Sequence, residues 1–458
     1  MNDTSSLKRI LGFRPLLAVA VGLVVSQGVM LVMLQGAGLA GYGFLVPLGI
    51  GYVLALSYAF SFSELALMFP RAGTLSTYTE VAIGHFPAIL AVFAGYVVVA
   101  MFALSAELVL IDLVLAELFP GLLPPMVSAL AIIAFFTAMN IRGVDVFAKL
   151  QSALAFIMVL ALLAVSLMAI FAAGVPRMPS PNLLAESNPM GWGVLALTAL
   201  AIWGFVGAEF VCPLVEETKE PERNTPRSMI AGITIILVVY ALFCVGALAH
   251  IPREALAGSP LPHLTYFKAV LGEEGLILLA IAAFTATCST VNTSLAAVPR
   301  MIYGMAKNGQ TFEVLGALHP TYKTPWAAIL FVAIATAVPM LFLSSDPDAI
   351  LVLLTGASVS WLIAYIIAHI DVIVLRMRMP HAARPFRTPF YPLPQLFGII
   401  GMGVGIFYAA PSPELEGKIL SSAGVVLLIG CLISAVWVRF VMGKGLFAPE
   451  PAEVVLGD

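Results

Sequence analysis

Apolar runs of about twenty residues, separated by short polar connections, recur along the whole of this 458-residue chain. A helix needs about 20 apolar residues to cross the hydrocarbon core of a bilayer. The pattern predicts twelve such helical segments, at 15–39, 42–69, 86–118, 125–141, 148–173, 192–216, 228–250, 276–304, 326–343, 349–376, 394–410 and 419–441. Two of them are interrupted. The first reads VAVGLVVSQGVM and weakens at Ser26-Gln27-Gly28; the sixth reads TALAIWGFVGAEF and is cut by Gly204 and Gly207. Backbone groups freed at membrane depth are tolerated only where they face protein or line a cavity.

Charge placement supports the segment count. If the N-terminus is cytoplasmic, the even-numbered connections and both tails hold eighteen of the 22 Lys and Arg residues, from Lys8 and Arg9 to Arg439 and Lys444. The other side keeps only Arg177, Arg253, Lys268 and Lys418. This asymmetry follows the positive-inside rule, and one missed or extra segment would scramble it. Lys8, Arg9 and Arg14 lead into a segment too long and too rich in glycine for a cleavable signal.

Composition excludes a soluble protein: 61% of residues are apolar and 10% charged, and mean hydropathy is +1.04, whereas soluble chains carry about 25% charge. The net charge of −3 gives no reason to expect a nucleic-acid partner. Cys212, Cys244, Cys288 and Cys431 sit in apolar runs without metal-ligand spacing and read as small packing residues. The six histidines are scattered, mostly at segment ends or in connections. No HExxH, phosphate loop or nucleophile elbow is present, so no enzyme, cofactor or metal is expected.

Interrupted segments at matching places in two halves suit a five-plus-five inverted repeat, with the last two segments appended. The freed N–H groups of a second half-helix favour an anion, and the carbonyls freed from the first half can hold an ammonium. An amine or a zwitterion is the natural ligand of such a site.

Five blocks, in order, resemble the amino acid–polyamine–organocation superfamily, whose members have the LeuT-type fold. They are VSQGV in the first segment, ELALMFPRAGTLSTY from Glu64 to Tyr78, IWGFVGAEFVCPLVEETKEPERNTPRS, STVNTSLAAVPRMIYGMAKNGQTFEVLGALHPTYKTP, and RPFRTPFYPLP after the tenth segment. The resemblance implies a substrate site lined by Ser26, Gln27 and Gly28 and by Ile202, Trp203, Gly204 and Phe205, with Trp203 as an aromatic lid. Two departures bear on it. Ser26-Gln27 stands where the family has Gly-Ser, so Gln27 either contacts the substrate or narrows the pocket. Many members that use neither sodium nor protons carry a lysine where this chain has Met158, and the fifth segment holds no charge after Lys149.

Three acids interrupt the apolar interior: Glu107, Asp112 and Glu209. An intramembrane carboxylate is costly and marks a functional site by default. Glu107 and Glu209 are candidates for proton coupling, with a helix-knitting role as the alternative, which for Glu209 means organising segments six and eight. The polar run of the eighth segment puts Ser289 and Thr293 on one face, where hydroxyls hold sodium in some relatives or simply bond back to the helix. Trp203, Glu217 and Arg227 are candidates for gating.

The expectation is an all-α integral membrane transporter of an amino acid or small amine, polyamines included, in the plasma or inner membrane with both termini cytoplasmic. It would work by alternating access, as a proton-coupled transporter or an exchanger, with sodium-coupled symport as the alternative. A ligand sensor, a channel-like protein or a membrane-embedded enzyme stays open. The expected units are tail 1–14, first half 15–173, second half 192–376, appended segments 394–441 and tail 442–458.

Overall fold

The computed structural model describes residues 9–121, 124–171, 187–342, 347–409 and 413–456. Lys8, Arg177 and the outermost residues of both tails lie outside them, as do residues 172–173 of the fifth segment. Among the described residues the fold is all helical, and the one β-bridge pairs Leu11 with Thr218.

The first segment is two helices, α1 (Phe13–Gly22) and α2 (Gln27–Ala40). Their break falls at residues 23–26, one step earlier than Ser26-Gln27-Gly28, because Ser26 acts as a cap. Its backbone is extended and its hydroxyl accepts from the Val29 amide at 3.2 Å, satisfying one donor that the new helix leaves free. Next come α3 (Leu45–Met68), the short α4 (Leu75–Ala82), α5 (His85–Leu118), α6 (Val127–Arg142) and α7 (Val144–Phe171).

The sixth segment is the second interrupted one. After a 3-10 turn at Gly191–Leu197, α8 (Thr198–Trp203) stops at a four-residue turn, and α9 (Ala208–Glu217) resumes as a 3-10 helix. The chain then runs through α10 (Pro221–Leu248), two short helices, α11 (Arg253–Gly258) and α12 (Pro262–Leu271), and the long α13 (Gly275–Lys307). It finishes with α14 (Trp326–Phe342), α15 (Pro347–Arg378), α16 (Leu393–Phe407) and α17 (Pro413–Val436).

Among the described residues, eight helices are long and apolar enough to cross a membrane. The longest, Gln27–Met68, joins the first two predicted segments through a 3-10 turn at Gly41–Phe44. Shorter apolar helices lie on predicted segments four, nine and eleven. The short α4, α11 and α12 were not predicted; at 8, 6 and 10 residues they fall below the length that periodicity can register.

The broken helices sit at the centre. α1 packs on α7, α9, α10 and α13, and α13 lies along α7. Around them, α15 braces α3, α16 and α17. At the end that carries both tails, Glu64 of α3 is buried and takes both Arg376 nitrogens at 2.8 and 2.7 Å, Arg384 at 3.2 Å and the Thr388 amide at 2.8 Å. The ELALMFP and RPFRTP blocks are thus two sides of one joint.

The C-terminal tail straps this same end. Lys444 and His85 meet Glu450 at 2.5 and 2.9 Å, and the Glu450 amide donates to the Glu80 carbonyl. Lys444 holds the Glu450 carboxyl below the usual carboxylate range, while burial pushes that of Glu80 up.

Candidate transport site

A small cavity of about 30 Å³ lies beside both breaks. Its wall is formed by Ser26 and Val29 of α2, Tyr96 and Glu107 of α5, Trp203, Phe210, Trp361 and the hydroxyl residues Thr290 and Ser294 of α13, among apolar neighbours. That volume holds about one water, so the present arrangement is closed around the site, and a solute enters only if the wall moves.

Glu107 is the central polar contact. One carboxylate oxygen accepts from the Gln27 amide at 3.0 Å and the other from the Gly28 amide at 2.7 Å. The acid therefore crowns the N-terminus of α2, where free donors and the helix dipole favour negative charge. Gly28 permits this approach, since a Cβ there would stand 2.7 Å from the Glu107 Oε1 atom.

Glu209 is equally buried but serves a different wall. Its two oxygens accept from the Trp361 indole at 3.0 Å and the Tyr365 hydroxyl at 2.5 Å. Its partner helix is α15, not α13, so the expected link between segments six and eight is corrected to one between six and ten. Trp361 stands edge-on to Trp203, with ring centroids 5.9 Å apart. Glu209 thereby fixes the ring against which Trp203 leans.

Of the seven residues expected to line the site, Ser26 and Trp203 reach the cavity wall. Gln27 turns away and donates to the Thr287 hydroxyl at 2.6 Å. Gly28 lies behind Glu107. Ile202 and Phe205 are fully packed, and Phe205 leans on Tyr52. Gly204 faces Met33. Asp112 caps the start of α6 through the Met126 amide, at 2.7 Å, and the Ser128 hydroxyl. The residues missed are Tyr96, Phe210 and Trp361. Their aromatic character in apolar helices was visible in the sequence, but nothing in the spacing said that three helices would bring them together.

Ser289 donates to the Gly22 carbonyl at 2.8 Å, at the end of α1. Gln151 of α7 donates to Ser289 at 2.7 Å and to the Ala18 carbonyl at 3.2 Å, and accepts from Asn292 at 3.0 Å. Met158, compared above with a lysine of the family, is buried and apolar; the neutral amide seven residues earlier makes the junction. Thr293 is buried, and its hydroxyl has no partner among the described residues. His369 also departs from expectation: it lies inside α15 and meets the Ser61 hydroxyl at 2.9 Å.

The end carrying the tails is shut. The Ile10 and Leu11 amides both donate to the Glu217 carbonyl at 2.9 Å, and Lys219 donates back to Leu11 at 2.8 Å. Glu217 pairs with Arg300 at 3.1 Å, and Glu216 accepts from the Ala72 amide at 2.8 Å. Arg227, another gating candidate, is exposed. The opposite end holds a cavity of about 530 Å³ between α2, α5, α11 and α15, lined by Leu31, Gln35, Glu117 and Leu354. Leu354 also lies against Gly28, so it separates this vestibule from the inner cavity.

The profile of the amino acid permease family matches residues 11–437. The chain belongs to that family. Similar proteins include the branched-chain amino acid permease BcaP of Bacillus subtilis, 26% identical with 85% of each chain covered. The serine/threonine exchanger SteT of the same organism is 25% identical, covering 93% of this chain and 96% of its own. Among solved structures, two mutants of a manganese transporter from Eremococcus coleocola superpose with TM-scores of 0.63 and 0.65. They cover 96% of this chain and 99% of theirs at 14% and 13% identity, which shows a shared LeuT-type transporter fold and nothing about substrate. This permease is a multi-pass membrane transporter and not an enzyme.

Proposed function

We propose that this permease carries an amine-bearing solute, an amino acid or a small amine, by alternating access around the cavity between the two breaks. The observation that carries the reading is the pairing of freed helix ends with an aromatic wall and a buried carboxylate, chemistry suited to an ammonium. The relatives BcaP and SteT, named for amino acids, support the same class. Trp203 closes over the solute, and the joint of Leu11, Glu217 and Arg300 is the gate on the side of the tails. That side is cytoplasmic, as the distribution of Lys and Arg favours.

Coupling is read as protonic rather than sodium-based. Glu107 and Glu209 are the buried acids within reach of the site. The place where α1, α7 and α13 meet is filled by the Gln151 amide, which points N–H donors at the Ala18 carbonyl and Ser289. Donors facing those oxygens oppose a cation there.

A thermal-shift screen of the purified protein with amino acids and small amines at pH 5.5 and 7.5 tests the ligand class, since a bound ligand stabilises the fold in proportion to its occupancy. Hits are then followed as uptake into proteoliposomes. A stabilising solute whose uptake saturates, rises with an imposed proton gradient and is lost in Trp203→Ala supports the reading. Uptake that ignores protons but needs sodium overturns the coupling, and a chain that transports none of these solutes overturns the function.

A further inference from the structure

The cavity contains its own carboxylate at the place where a ligand carboxylate would be best received. The α2 N-terminus offers the Gln27 and Gly28 amides, and Glu107 holds both, one with each oxygen. This arrangement is built into the chain: Gly28 leaves room for Glu107, Ser26 caps the next donor, and Glu107 itself is 2% exposed. A second anion entering this space would meet like charge and find its donors taken.

The rest of the wall offers an anion no positive charge in exchange. Among the described residues no Lys, Arg or His lines the cavity. What it offers instead is aromatic surface from Tyr96, Trp203, Phe210 and Trp361, around a single carboxylate. Ring faces attract a desolvated cation, and one acid balances one positive charge. Two polar atoms in the wall have no partner among the described residues although their residues are more than nine-tenths buried: the Trp203 indole N–H and the Tyr96 hydroxyl. Both are neutral: the indole can only donate and the phenol can donate or accept, so they suit a ligand hydroxyl or ether better than a carboxylate, which would need strong charged donors to leave water.

We propose that the preferred ligand of this cavity is an organic ammonium lacking a carboxylate, and that Glu107, as counter-ion and occupant of the α2 N-terminus, sets that preference. The proposal deepens the transport reading above and rests on it. An amino acid binds here only when Glu107 gives up the two backbone amides.

The experiment compares amines with the amino acids from which decarboxylation would produce them: ethanolamine with serine, 1,4-diaminobutane with ornithine, and 3-methylbutylamine with leucine. Affinities are measured by calorimetry on the detergent-purified wild type and on Glu107→Gln and Glu107→Ala. In every pair that binds, the wild type is expected to take the amine at least tenfold more tightly. Glu107→Gln lowers amine affinity at least tenfold, and Glu107→Ala, which frees the amides, narrows or inverts the ratio. A wild type that favours the amino acid, or binds both members equally, overturns the proposal and leaves the broader transport function standing. Binding of neither member of any pair removes both. The wild-type ranking decides even if a variant does not fold.

Discussion

The two broken helices solve the same problem with different chemistry. At the first break the free donors of α2 are held by a carboxylate from α5, with the Ser26 hydroxyl as cap. At the second, neutral phenols do the work: the Tyr365 hydroxyl accepts from the Gly207 amide at 3.0 Å, and the Tyr58 hydroxyl donates to the Phe205 carbonyl at 2.5 Å. Tyr58 and Tyr365 are stacked 4.3 Å apart, so the second break is clamped between α3 and α15. Its acid, Glu209, takes the Tyr365 hydroxyl and so holds the clamp as well. The first break is thus closed by a carboxyl group borrowed from α5, and the second by an aromatic brace. Symmetric backbone geometry does not imply symmetric function.

The contrast breaks most severely at Glu209. Glu209→Ala leaves the Trp361 indole and Tyr365 hydroxyl buried without their acceptor, at about 1–3 kcal/mol each. A large fall in the melting temperature of the purified protein is expected, with loss of uptake because Trp361 no longer supports Trp203. Retention of both would show that the brace does not depend on the acid. Next comes Gly207→Ala. Gly207 has φ +116°, and its added Cβ would stand 2.4 Å from a Leu23 methyl, so about 1–2 kcal/mol of strain is expected. Gly204→Ala has the milder neighbour Met33 at 3.0 Å and should cost visibly less; equal melting points for the two variants would refute the distinction.

A smaller pair sharpens the comparison. Ser26→Ala removes the cap of the first break and Tyr58→Phe one clamp bond of the second, each expected to cost about 1 kcal/mol. Hydrogen exchange should increase in α2 for Ser26→Ala and around Phe205 for Tyr58→Phe; exchange spreading equally through both breaks would mean that they open together. The smallest effect is expected at the tail. Lys444→Ala removes a half-exposed partner of Glu450 and should cost at most about 1 kcal/mol. The Glu450 carboxyl lies below its ordinary range, so its contribution is complete above that ordinary range and is lost as pH falls through the depressed value. Proteolysis of the tail read against pH checks this, and the acid-side loss attributable to Glu450 should be missing in Glu450→Gln.

Much of this was legible along the chain. The apolar runs, the glycines at 204 and 207 and the Ser-Gln-Gly step placed both breaks within a few residues, because helix interruption is a local property of backbone and capping chemistry. Glu107 and Glu209 stood out because a charge in an apolar run is costly wherever it lies. Partners were another matter. Glu217 and Arg227 both stood out as gating candidates, whereas the fold leaves Arg227 exposed and pairs Glu217 with Arg300 from α13. The resemblance singled out Met158 on α7 as the place of an absent lysine, and said nothing of Gln151, which makes the junction with α1 and α13.

The sequence by itself determined that this protein is a helical membrane transporter of the amino acid permease family, where its helices break and that Glu107 and Glu209 are buried. Each of these follows from the identity of residues within one helical stretch and its solvent. The tertiary structure alone decided that Glu107 closes the α2 N-terminus, that Glu209 serves α15, and that Tyr96, Phe210 and Trp361 join Trp203 in one wall. Those contacts join residues far apart in sequence, 79 positions in the case of Gly28 and Glu107, and depend on how helices pack and rotate against one another. No local pattern encodes that rotation.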